Sequence, residues 1–184
     1  MTKTTDNQNE IFAVVDENDN VVGEATRGEV HRNKNLIHRS VGVAVFNEKG
    51  GLFMQQRSAT KDTEALKWTI SCSGHAEAGD SYEETAVREL NEELGLDLIR
   101  LSISLKPVCK FLCRAPHESE MVMLFKTVYE GHFRLLPEEI IKGKFFTRNE
   151  LNEALQKRKI ELSYIGVKSL EKLGFLNPLY KKRK

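Results

Sequence analysis

The sequence lacks an excess of either charge: 28 lysines and arginines stand against 27 aspartates and glutamates. No strong field for a nucleic acid or a membrane surface follows from that balance. It also lacks any uninterrupted apolar run approaching a membrane span, and the opening MTKTTDNQNE has no apolar core of a signal peptide. A cytoplasmic protein is expected. Cysteine is scarce: Cys72, Cys109 and Cys113 make neither an even framework nor a CxxC pair, as suits a reducing compartment. Cys109 and Cys113 share a face of a predicted strand but stand roughly 13 Å apart along it, so buried thiols are expected rather than ligands.

What is present is ordinary for one globular domain. A chain of 184 residues, 40% hydrophobic and 30% charged, buries a core without disulfides or a structural metal. The expected organisation is a disordered tail over 1–9, a single domain over 10–178 and a basic tail over 179–184. EIFAVVD and VVGEATR read as a hairpin across ENDN, and RGEVHRNKN as a short helix or loop. IHRSVGVAVFN and LFMQQR form a second hairpin across EKGG, and KWTISCSG is one further strand ending at a glycine. LSISLKPVCKFLCR and SEMVMLFKTVYE read as strands, while FFTRNELNEALQKR and SYIGVKSLEKLGFL have helical periodicity. The predicted architecture is a mixed α/β (α+β) sandwich, with a helix over Ser81–Leu94 packed on the sheet. Ser81 and Glu84 fit a capping box there, and Gly95 supplies the stop.

That helix carries the chemistry. At 3.6 residues per turn, Glu89, Glu92 and Glu93 fall within roughly 100° of arc. Ala86, Val87, Leu90 and Leu94 occupy a neighbouring, buried stripe. Like charges at this spacing repel, and a divalent cation removes the conflict. Oxygen ligands in this number suit Mg²⁺ or Mn²⁺, which take further ligands from substrate phosphates. A solvated acidic face is the alternative for three glutamates considered alone.

The surrounding residues bear on that choice. Gly74, Asp80, Arg88, Glu89, Leu90, Glu92, Glu93, Gly95 and Leu96, at their spacings in GHAEAGDSYEETAVRELNEELGL, resemble the box of the Nudix family. The one departure is Asp80, where the family has glutamate, one methylene longer. The resemblance implies the Nudix fold, a mixed sheet sandwiched between helices, and hydrolysis of a small-molecule diphosphate. It also implies Glu89, Glu92 and Glu93 as metal ligands, Gly74 as a carbonyl ligand and Arg88 as the residue orienting the carboxylates.

Over residues 27–120 the chain is similar to one branch of that superfamily, the isopentenyl-diphosphate isomerases. The resemblance implies a second metal site at His31, His38, His75, Glu118 and Glu120, and a diphosphate grip at Arg27, Arg57 and Lys61. Glu118 and Glu120, two apart in a strand, share a face, and imidazole with carboxylate is an ordinary set for Zn²⁺ or Mn²⁺. His31 and His38, seven apart, reach one site only if RNKN turns the chain.

Two departures point away from isomerisation. The branch's acid/base cysteine is Ser73 here, a far weaker acid than a thiol. Cys72, one step along the strand, points to the other face, and the branch's tyrosine is replaced near Cys113. The reading is therefore a Mg²⁺-dependent hydrolase of a nucleoside diphosphate conjugate or related diphosphate, with isomerase chemistry as the alternative. A non-catalytic diphosphate-binding module is disfavoured by the complete carboxylate set. Glu120 serves as ligand or as base for the attacking water, with Glu138 and Glu139 as weaker candidates. Tyr82, Trp68 and Phe53, each able to stack on a base, are expected to be packing residues. No nucleic-acid or membrane partner is expected.

Overall fold

The computed structural model describes residues 4–177, so the basic tail over 179–184 lies outside the described residues. The continuous apolar run IFAVV forms β1 (Ile11–Val15), which pairs antiparallel with β2 (Val21–Thr26) as the first hairpin, and α1 (Arg27–Val30) follows directly. β3 (Ile37–Phe46) and β4 (Leu52–Arg57) form the second hairpin. Then come β5 (Trp68–Thr69), β6 (Cys72–His75), α2 (Tyr82–Leu94), β7 (Lys106–Arg114), β8 (Ser119–Val128) and β9 (Ile140–Phe146). Two helices, α3 (Arg148–Gln156) and α4 (Tyr164–Lys172), end the described chain. Among the described residues no helix is long and apolar enough to cross a membrane.

β3 organises the sheet. One edge pairs in parallel with β8 along its whole length, from Ile37↔Ser119 to Phe46↔Val128. The other edge is shared in turn by β1 at Ile37–His38, β6 at Ser40–Val43 and β4 at Phe46. Period-two alternation then sends successive side chains to opposite faces. Val41, Val43 and Val45 join Ala86, Leu90 and Leu94 of α2, whereas Ala44 joins Leu151 of α3 and Leu170 of α4. The sheet thus lies between helices, as expected, with an apolar core on each face.

The expected single strand over KWTISCSG is instead two. β5 pairs with β4 and β6 pairs with β3, because β3 and β4 meet only at Phe46↔Leu52 and diverge beyond it. Ser71 patches the gap: its buried Oγ accepts from Val45 N at 2.8 Å and donates to Phe53 O at 2.5 Å. Residues 101–105, read as strand, are not one; Leu101, Ile103 and Leu105 pack on the α2-side core without ladder partners. The two phenylalanines of FFTR end β9, and α3 begins after its cap Thr147. Residues 4–9 also depart from the expected disordered tail. Asp6 is buried against Lys61 and Arg27, so polar contacts order a segment with no apolar residue to anchor it.

α2 follows its local code. Ser81 accepts from Glu84 N while Glu84 receives the Ser81 N–H. Gly95 N returns to Asn91 O, the single 5→1 bond of a left-handed helix stop, and Leu96 N reaches Leu90 O beyond it. Ala86, Leu90 and Leu94 are fully buried; Val87, expected in the same stripe, is exposed. Gly95 has φ +69°, and a Cβ there would lie 2.9 Å from Arg134 Cβ. Gly95→Ala should lower stability by about 1–2 kcal/mol from the left-handed backbone alone. Urea denaturation checks this, and an unchanged midpoint would show that the helix stop tolerates a side chain.

Candidate active site

A cavity of about 250 Å³ opens where β6, the second half of α2, the 58–67 loop and residues 5–10 meet. β6 serves it with both faces. Cys72 packs in the α2-side core, and a Cβ on Gly74 would fall 2.1 Å from Glu89 Cδ, so this glycine lets the carboxylate approach the backbone. Ser73 and His75, on the opposite face, pair with Gly42 and Ser40 of β3. The expected separation of Cys72 from Ser73 is therefore observed.

On the α2 side, Glu89 and Glu93 are buried and Glu92 is exposed at the rim. Burial, reinforced by mutual repulsion and by Glu139, raises Glu93 to about 8. Burial also raises Glu89 to about 7, against the pull of Arg88. Gln55 donates to Glu93 Oε2 at 2.8 Å. Arg88 donates to Glu89 at 2.8 Å, to the His75 carbonyl at 3.1 Å and to Glu92 at 3.5 Å, spanning two of the three carboxylates. Asp80, the shorter acid, reaches Arg88 only at 3.9 Å, and Glu77 approaches to the same distance.

On the other side, α1 ends at His31 and the chain turns before β3, which satisfies the condition that His31 and His38 converge. Ligand atoms of His31, His38, His75 and Glu118 all lie within 4.8 Å of one another. Glu118 Oε2 stands 3.0 Å from His31 Nε2 and 3.7 Å from Nε2 of His38 and of His75. Buried Nε2 atoms of His31 and His38, and Glu118 Oε2, make no well-aligned hydrogen bond. Converging donors of this kind fit a divalent cation. Glu120 joins through its 3.7 Å approach to His75. Burial, with Glu118 beside it, raises its carboxyl to about 8.

The imidazoles are not equivalent. Burial depresses His75 to about 4 and His38 well below the usual range, so both present free lone pairs at neutral pH. Burial also opposes charge on His31, but the hydrogen bond to Asp62 and the close approach of the Glu118 carboxylate outweigh it and raise His31 to about 9. Asp62 Oδ2, 3.2 Å from His31 Nδ1, leaves Nε2 directed at the cluster.

Arg27, Arg57 and Lys61 all line the cavity. None is idle: Arg27 pairs with Asp62, Glu10 and Asp6, Lys61 with Asp6 and Glu139, and Arg57 donates to Thr63 O. Glu139 lines the cavity and Glu138 does not. Trp68 and Phe53 are core residues, and Tyr82 binds Asp19 away from the cavity. Cys113 is buried opposite Glu120 in the β7–β8 ladder, its thiol pushed up by burial. Sequence reasoning missed Asp6, Asp62, Glu64, His117 and Tyr164. His117, whose Nε2 lies 2.8 Å from Glu118 Oε1, was the one with a local signal, adjacent to a candidate ligand.

Comparison with known proteins places these features in context. A NUDIX domain model matches residues 36–164. The chain is 40% identical over 125 residues to an isopentenyl-diphosphate Delta-isomerase 2 of Photorhabdus laumondii, covering 67% of each chain. It is 34% identical over 136 residues to an uncharacterised Nudix hydrolase of Pseudomonas aeruginosa, covering 74% of this chain and 78% of that one. A crystal structure of a Deinococcus radiodurans protein superposes with a TM-score of 0.75 at 22% identity, over 88% of this chain and 98% of that one.

The raised carboxyls carry a stability consequence. Glu93 is titrated near 4.5 when unfolded and about 8 when folded, so between those values the folded protein holds the extra proton. Its contribution is therefore lost as pH rises through that window. In chelator, Glu93→Gln should flatten the fall in stability from pH 5 to pH 8 and be more stable than the parent at pH 8 by on the order of 1 kcal/mol. Urea denaturation at the two pH values decides it; parallel losses in both proteins would refute the assignment.

Proposed function

The chain belongs to the NUDIX domain family, and from that membership we propose that it is a Mg²⁺-dependent hydrolase of a diphosphate linkage in a small molecule. The observation that carries the reading is the buried Glu89–Glu93 pair with Glu92 at the rim, held against a glycine backbone and spanned by Arg88. Nine acidic and four basic side chains line the cavity, so a diphosphate enters it only with cationic help.

Glu89, Glu92 and Glu93, with Gly74, are the residues that would hold Mg²⁺ or Mn²⁺. A divalent cation there supplies neutralising charge to diphosphate oxygens and acidifies water. Arg27, Arg57 and Lys61 bind the remaining phosphate charge. Arg88 holds Glu89 in place. Glu120 accepts the proton of the attacking water, and its high pKa makes its ionised form a stronger base than a surface carboxylate. The substrate class is a nucleoside diphosphate conjugate or a related diphosphate. Tyr164 and His75 are the aromatic side chains among the cavity-lining residues.

A second reading, isomerisation of an isopentenyl-type diphosphate, is favoured by the His31, His38, His75 and Glu118 convergence and by the Photorhabdus relative. It is opposed by Ser73, which lines the cavity at the position where the isomerase branch carries a thiol. The native chain should release phosphate or a monophosphate from a diphosphate substrate with Mg²⁺ and should not interconvert isopentenyl and dimethylallyl diphosphate. Glu92→Gln and Glu93→Gln should each lower turnover by more than about 100-fold, beyond the roughly 10–100-fold typical of residues that only orient ligands. Near-normal activity in both variants sinks the hydrolytic assignment; robust isomerisation by the native chain establishes the second reading.

We assign the histidine cluster to a second cation, Zn²⁺ or Mn²⁺, with Glu118 completing the set and Glu120, outside that cluster, kept as the base. His31 must lose its proton to become a ligand, so binding at pH 7.5 should release about one proton. Calorimetry in buffers of different ionisation enthalpy measures this, and His31→Ala should lose both the release and most of the affinity. Absence of transition-metal binding removes the site.

A further inference from the structure

The cations expected to grip diphosphate are already gripped. The Asp6 carboxylate sits with its side chain 4% exposed, against Lys61 Nζ and 3.3 Å from Arg27 Nη2. Its other oxygen accepts from the Asp62 N–H at 2.8 Å and from Thr4 Oγ1 at 3.1 Å. A carboxylate held by a lysine, an arginine and a backbone N–H has the donors that a phosphate oxygen requires. Thr5, Asp6 and Asn7 line the cavity, so the segment stands in the mouth rather than beside it.

The segment is also built to leave. TTDNQ has no apolar residue, so no hydrophobic burial fastens it. Its further ties are polar and most lie at the surface: Thr5 N to Thr60 O at 3.4 Å, Thr5 Oγ1 to Thr60 Oγ1 at 3.1 Å and Gln8 Nε2 to Asp62 at 3.0 Å, with the buried Gly28 N donating to Gln8 O at 3.1 Å. Few apolar contacts and exposed hydrogen bonds mark the low-stability end of a fold. The ordering entropy of residues 4–8 is regained when the segment is released.

We infer that residues 4–8 form a tethered competitor, in which Asp6 occupies the anion seat of Arg27 and Lys61 and is displaced when a diphosphate binds. The inference rests on the diphosphate reading above. Displacement exchanges one carboxylate for a phosphate that carries more charge, so singly charged anions compete poorly and the seat favours diphosphate. Apparent affinity falls by the fraction of molecules with the seat open, so a seat closed about nine times in ten weakens binding about tenfold.

Titration calorimetry of the full chain with inorganic pyrophosphate tests this, alongside Asp6→Asn, Asp6→Ser and Lys61→Met. Both Asp6 variants should bind pyrophosphate about tenfold more tightly. In the unaltered chain, amide exchange over residues 4–8 should accelerate on pyrophosphate binding, a result independent of how any variant folds. If Lys61→Met weakens binding but the Asp6 variants do not tighten it, the tethered competitor is overturned and the diphosphate seat stands. Slower exchange over residues 4–8 on binding overturns it equally, because the segment then closes over the ligand. If Lys61→Met binds pyrophosphate as the parent does, the diphosphate seat fails and the competitor with it.

Discussion

Buried carboxylates at close quarters are the constraint on which the rest of this structure depends. Glu89, Glu93, Glu118 and Glu120 are all withdrawn from water around one cavity, an arrangement that costs free energy unless opposite charge or protons answer it. Different answers appear on the two sides. On the α2 side, Glu89 and Glu93 hold protons to unusually high pH, and Arg88 compensates part of what remains. On the histidine side, Glu118 stays ionised against its burial because His117 and the protonated His31 lie against it, while Glu120 beside it does not. The fold supplies what each answer needs: a helix capped at both ends, and a central strand that brings β6 and β8 to opposite edges.

The central strand does more than hold the core. His38 and Ser40 lie on the same face of β3 as Ala44, and the register sets His38 beside Glu120 and Ser40 beside both Val122 and His75. Site and core are therefore successive portions of one strand face. Loss of pairing at the start of β3 would dismantle the histidine cluster while leaving the apolar portion near Ala44 in place, since β8 continues to Val128.

Much of this was legible in the sequence, and the pattern of what was not is physical. α2 and its boundaries were readable because capping, periodicity and the glycine stop act within a few residues. The convergence of His31, His38, His75 and Glu118 was suggested by resemblance and by the turn needed before β3, not by spacing alone. The break between β5 and β6 was hidden because it depends on where β4 leaves β3, a non-local matter that alternation within KWTISCSG does not encode. Asp6 and Asp62 were hidden for another reason. A carboxylate in a polar segment looks solvated until its partners, here Lys61, Arg27 and His31, are placed beside it.

β6 is four residues long, and its alternation has an evolutionary consequence. Cys72 and Gly74 answer to the helix carboxylates, Ser73 and His75 to the histidine cluster. Point substitutions at one parity alter one cluster and leave the other intact, so the two clusters are free to diverge independently along a shared backbone. An insertion or deletion of a single residue before Gly74 has no such privacy: it exchanges the two faces and disables both at once.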